Sequence, residues 1–147
     1  MDPKLRARIV LHGVIVIALG LVAGVPYASA IASGQAEPLR AWRMAHLEGI
    51  LNGLVAIALA AAGSVLVLSP RQQRLLAVSV VGMAYGNVVG SMLGAATGNR
   101  GLSPGGPPVN TAVYLLFVAS ILGIVVALVL AGIGARRAVR SAGGPKA

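Results

Sequence analysis

The sequence contains no cysteine, only three acidic residues and 3% aromatic residues in a length of 147. Without cysteine there is no disulfide, thiolate metal site, iron–sulfur cluster, thioether-attached haem or cysteine nucleophile. Charged residues make up 10% of the chain, against about 25% in a typical soluble domain, too few to clothe a water-facing surface. What is present is apolar: 57% of the residues, with 20 glycines in addition. Four apolar runs are long enough to cross a hydrocarbon core of ~30 Å, which takes about 20 helical residues each. The composition therefore predicts an all-α integral membrane four-helix bundle forming a single transmembrane domain over residues 1–147, with little chain left for a soluble domain.

The spans are expected at roughly 9–32, 43–68, 75–96 and 109–135. They are separated by Ser33 to Pro38, by Ser69 to Arg74, and by Gly98 to Pro108 with its three prolines. The basic residues Lys4, Arg6, Arg8, Arg71, Arg74, Arg136, Arg137, Arg140 and Lys146 all fall on one side, and only Arg40, Arg43 and Arg100 on the other. The positive-inside rule then puts both termini in the cytoplasm, as in a bacterial inner membrane. The net charge of +9 reads as a fringe facing anionic lipid, not as a nucleic-acid surface. Ala28-Ser29-Ala30 resembles a signal-peptidase site, but the apolar run before it is longer than a signal core, and cleavage would contradict the charge bias.

Glycine recurs every four residues at Gly82, Gly86, Gly90 and Gly94, and again at Gly20 and Gly24. Such stripes admit close helix contact or a flat ligand, packing being the commoner use. Intramembrane polar side chains are candidate functional groups by default. At ~1.5 Å per residue, His12 and His46 lie near opposite faces of the membrane, more than ~20 Å apart, so one metal cannot bind both within a subunit. Ser91, Met92, Tyr114 and Glu48 fall near the level of His46, with Asn52, Asn87 and Tyr85 one to two turns deeper. Helical rotation places Gly49 and Gly53 near the His46 face, and turns Glu48 more than a right angle away. This bare face permits a planar haem perpendicular to His46; it equally permits a His46 that merely hydrogen-bonds across helices beside packing glycines.

Other chemistries lack their residues. No acid stands beside a histidine as a catalytic triad requires. No three-histidine or two-histidine-carboxylate set lies in one leaflet, and no phosphate loop or dinucleotide fingerprint occurs.

His12-Gly13, the Ala45-His46-x-x-Gly-x-x-Asn52-Gly53 segment, Asn87 and the Asn99-Arg100-Gly101-Leu102 loop together resemble the small four-helix membrane styrene oxide isomerases, in order and over nearly the whole chain. The resemblance implies a homotrimer that binds haem b and rearranges a small hydrophobic epoxide to a carbonyl compound with no net redox change. It implies His46 as the axial ligand of the ferric iron and Asn52 as a holder of the epoxide, with Gly49, Gly53, Asn87 and Arg100 expected at the cofactor. There are departures from the pattern. The family tyrosine one turn beyond the Asn87 position is Ser91 here, an aspartate earlier in that span is Met83, and Glu48 replaces a small residue. Ser91, Tyr85 and Tyr114 are the candidates for the missing hydroxyl, and the small lining suggests a bulkier or aliphatic epoxide.

Two other readings stand beside this one. A non-catalytic haem protein for electron transfer or sensing would fill the sixth iron position with Met92, Met83 or a neighbouring subunit's residue. An accessory packing subunit would bind no cofactor. Trp42 reads as an interfacial anchor, and Arg43, like Arg100, as a headgroup contact or a partner for a haem propionate.

Overall fold

The computed structural model describes residues 1–142; Lys146, counted above among the basic residues, lies outside them. The described chain is helical with no strands, in four helices: α1 (Pro3–Ser33), α2 (Ala36–Ala62), α3 (Pro70–Thr97) and α4 (Pro108–Ala142). Each is long and apolar enough to cross a membrane.

Local chemistry sets the ends. Asp2 caps α1 by accepting from the Leu5 amide, with Pro3 in the first turn where no intrahelical N–H is needed. Ser69 and Gln72 form a reciprocal capping box at the start of α3, followed by Pro70. Gly34 and Gly98 terminate α1 and α3 in the left-handed conformation, at φ 67° and 70°.

Two boundaries differ from expectation. The connection between α1 and α2 is only Gly34 and Gln35, because Glu37 and Pro38 fit the first turn of α2. At its other end α2 stops at Ala62, where span 2 was expected to reach residue 68. Residues 65–69 are non-helical, Leu66 and Leu68 are buried, and the Val67 amide bonds to Gly134 of α4. A short apolar run that pays its backbone hydrogen bonds to another element has the same composition as a helix end, so hydropathy could not separate the two.

The helices do not form a closed square. α1 lies on α2, α2 and α1 pack on α3, and α4 packs on α3 alone to any extent. The central layer is small-to-medium apolar side chains, with Ile9, Val16, Ala56, Leu76, Val80, Met83, Val88 and Ala127 all buried. Along the α1–α2 seam glycine meets glycine: a Cβ at Gly49 would overlap the Gly20 backbone, and one at Gly53 would fall 2.6 Å from the Gly13 carbonyl. These contacts are possible only because no side chain intervenes. In the α3 stripe Gly86 and Gly90 receive Ser120 and Phe117 of α4, whereas Gly82 faces open space.

The sidedness agrees with the charge pattern. The N-terminal ammonium donates to Gly63, and Gly134 meets Val67, so the start of α1, the α2–α3 connection and the end of α4 share one end. At the opposite end Arg100 pairs with Glu37 at 2.9 Å, tying the α3–α4 loop to the start of α2.

Candidate functional site

His46 is half-buried on α2 and turned toward α1, with its Nδ1 2.8 Å from the carbonyl oxygen of Gly20. A carbonyl can only accept, so Nδ1 carries the proton and the lone pair lies on Nε2. Nε2 takes no hydrogen bond among the described residues. Tyr27 stacks on the ring with centroids 5.9 Å apart and planes 25° from parallel. Gly24 makes room for it, because a Cβ there would lie 3.0 Å from Nδ1. Histidine metal ligands are commonly oriented by just such a donation from the second nitrogen. The donor set thus fits a group bound through a single imidazole, whereas no cluster of three or more His, Asp or Glu side chains capable of holding a bare metal ion occurs among the described residues.

Gly49 and Gly53 do not provide the open face expected beside His46. The space over them is filled by Gly20, Gly13 and Ile17 of α1. Rotation along α2 had identified the correct face, but its occupant is a neighbouring helix.

Asn52 points to α3 rather than α1. It lies six residues beyond His46, about 120° around the helix. Its Nδ2 donates to the Glu48 carboxylate and to the Glu48 carbonyl, and its Oδ1 accepts from Asn87 Nδ2 at 3.4 Å. Asn87 also approaches the sulfur of Met83, which is itself buried in the core and occupied there. Glu48, Asn52 and Asn87 therefore form one chain of polar groups between α2 and α3. Both N–H groups of Asn52 are already spent on Glu48, so an epoxide oxygen would have to displace one of them.

The remaining candidates lie apart from one another. Tyr85 is hydrogen-bonded to His12 Nδ1 at 3.1 Å, edge-on to its ring. Its hydroxyl belongs to the His12 end of the bundle and does not replace the family tyrosine. Tyr114 follows Val113 beneath the α3–α4 loop, where its amide lies close against Gly101. Ser91 is 4% exposed, and its hydroxyl is buried without a hydrogen-bond partner. It lines a cavity of about 360 Å³ between α2, α3, α4 and the loop, together with Met44, Gly94, Phe117, Arg40 and Arg100. Arg100, expected at the cofactor, is engaged by Glu37 at the mouth of this cavity.

Sequence reasoning missed Asn110. Its side chain accepts from the Gly101 amide and donates to the carbonyls of Ser103 and Gly105, holding the proline-rich loop in shape. An asparagine just inside a helix after Pro107-Pro108 was the available signal.

Four apolar helices, a histidine with one nitrogen fixed and the other free, and a half-buried polar chain between helices define a small helical membrane protein with a candidate intramembrane site. The chain belongs to the styrene oxide isomerase family, whose model matches residues 5–136, most of its length. No curated protein matches it.

Proposed function

We propose that this protein is a haem b-dependent membrane isomerase that converts a hydrophobic epoxide to an aldehyde or ketone, with His46 as the iron ligand. The observation that carries this reading is the hydrogen bond from His46 Nδ1 to Gly20, which leaves Nε2 available in a chain whose family name is that of an epoxide isomerase. Bound ferric haem supplies a Lewis-acidic iron able to draw electron density from an epoxide oxygen.

The chain's own residues hold and orient. Gly20 fixes the imidazole tautomer, Tyr27 and Gly24 fix its plane, and Asn87 anchors the Asn52 amide from α3. Asn52 orients the epoxide oxygen by exchanging an N–H bond with Glu48 for one with substrate. The apolar surroundings exclude water that would open the epoxide to a diol. The net reaction breaks one C–O bond and shifts one hydride, with no change of redox state.

Because His46 faces α1 and Asn52 faces α3, one subunit does not bring them to a common point; association of copies, a trimer by the family resemblance, is the arrangement we propose to unite them. Membranes carrying the protein, given styrene oxide and a longer aliphatic epoxide, are expected to yield the carbonyl isomers by gas chromatography. Unchanged epoxide, or diol alone, with haem fully bound would overturn the isomerase assignment.

A further inference from the structure

At the end of the bundle far from His46, the first turns of α1 and α3 enclose a pocket of about 290 Å³. Gln73 ties its floor together: Oε1 accepts from the Asp2 amide at 2.9 Å, and Nε2 donates to the Leu68 carbonyl at 2.9 Å. Contacts between α1, α3 and the connection before α3 thus hold the pocket in shape. Lys4 and Arg8 stand one turn apart on α1, and Arg74 lines the same pocket from α3. Asp2 is also in the lining, but its carboxylate accepts from the Leu5 amide. The lining therefore sets three cations against one carboxylate.

The basic residues at this end are not equivalent. Arg6 donates to the Ala60 carbonyl and Arg137 to Gln72. Lys4, Arg8 and Arg74 make no hydrogen bond or ion pair among the described residues. Like charges gathered around one pocket repel, and an anion between them relieves that repulsion. Their height selects the anion. Arg8 directly precedes Ile9, and Arg74 directly precedes Leu75, where the apolar runs begin; the pocket lies at the level of lipid headgroups. Just inside it, Leu11 and Ile15 of α1 and Val78 of α3 are exposed, giving acyl chains an apolar surface that a free phosphate ion would not use.

We propose that this pocket binds the phosphate of one anionic phospholipid, with Arg8 and Arg74 on the phosphate oxygens and Lys4, one turn nearer water, on the headgroup. A diffuse basic fringe would respond to any lost charge alike, whereas this site responds only to the cations that line it. It requires neither haem nor the isomerase reaction.

The test is native mass spectrometry of the full chain in detergent, titrated with dioleoyl phosphatidylglycerol, dioleoyl phosphatidylcholine or inorganic phosphate at about physiological ionic strength. One phosphatidylglycerol per chain is expected, held about tenfold or more tighter than phosphatidylcholine. Arg8→Gln and Arg74→Gln should each weaken it about fivefold, the worth of one basic residue at an anionic headgroup, and Arg8→Lys should stay within about twofold of the parent. Arg71→Gln and Arg140→Gln remove the same charge outside the pocket and should also stay within about twofold, by screening. His46→Ala should leave lipid binding unchanged whether or not haem is retained, so failure of the isomerase reading and failure of this site are distinguishable. Equal binding of the two lipids, equal weakening by all four glutamine variants, or displacement of phosphatidylglycerol by an equal concentration of inorganic phosphate would each overturn the proposal.

Discussion

The carbonyl of Gly20 receives the Nδ1 proton of His46 at 2.8 Å, across the seam where α1 and α2 approach through glycine. One backbone atom on α1 thereby selects the tautomer of a side chain on α2. The ring's position depends on Gly24 as well, whose missing side chain would otherwise meet Nδ1 at 3.0 Å. Gly24→Val should turn the ring aside without disturbing the Gly20–Gly49 crossing. The expected result is haem affinity reduced at least about tenfold, the usual scale for loss of ligand orientation, with helicity unchanged by circular dichroism. Full haem retention in this variant would show that the ring orientation seen here is not the binding one.

Helix packing separates the glycines into two classes. A Cβ at Gly49 meets backbone that cannot move aside, whereas one at Gly82 meets nothing within 4 Å. Gly49→Ala should destabilise the α1–α2 pair by ~3 kcal/mol or more, while Gly82→Ala stays within ~1 kcal/mol of the parent. Thermal unfolding in detergent gives both values side by side, and similar melting temperatures for the two would refute the proposed seam.

Glu48 competes for the amide of Asn52. If that amide orients the epoxide, Glu48→Ala should lower KM severalfold with little change in kcat, and Asn52→Ala should lower kcat/KM about tenfold, the worth of one buried hydrogen bond. A rise in KM on removing Glu48 would instead make the carboxylate a part of the substrate site.

Tyr85 belongs with His12. Tyr85→Phe should therefore leave both haem absorption and turnover within about twofold of the parent, since its hydroxyl bond is worth about 1 kcal/mol locally and nothing at His46. A collapse of turnover would return Tyr85 to the reacting centre.

The helices were readable in the sequence because hydropathy reports them directly, and the faces of α2 because rotation along a helix is fixed. Rotation said that Gly49 shares a face with His46; it could not say that Gly20 of α1 lies upon it. Depth counting placed Tyr85 below His46 but could not reveal that His12 would be its partner. Residues 65–69 escaped for a related reason, since an irregular connection that buries Leu66 and Leu68 carries the same apolar residues as a helix end. The ordered match from His12 to Leu102 indicated the family because it rests on residue identity, which survives where geometry between helices is invisible.

The most direct test of the central claim is the absorption spectrum of the detergent-purified protein, as isolated and after dithionite, beside His46→Ala. The expected result is a five-coordinate, high-spin ferric haem b at about one per chain, absent from the variant, as single-histidine ligation with an open axial position would give. A variant that keeps its full haem, or a colourless parent that cannot be reconstituted, would contradict it.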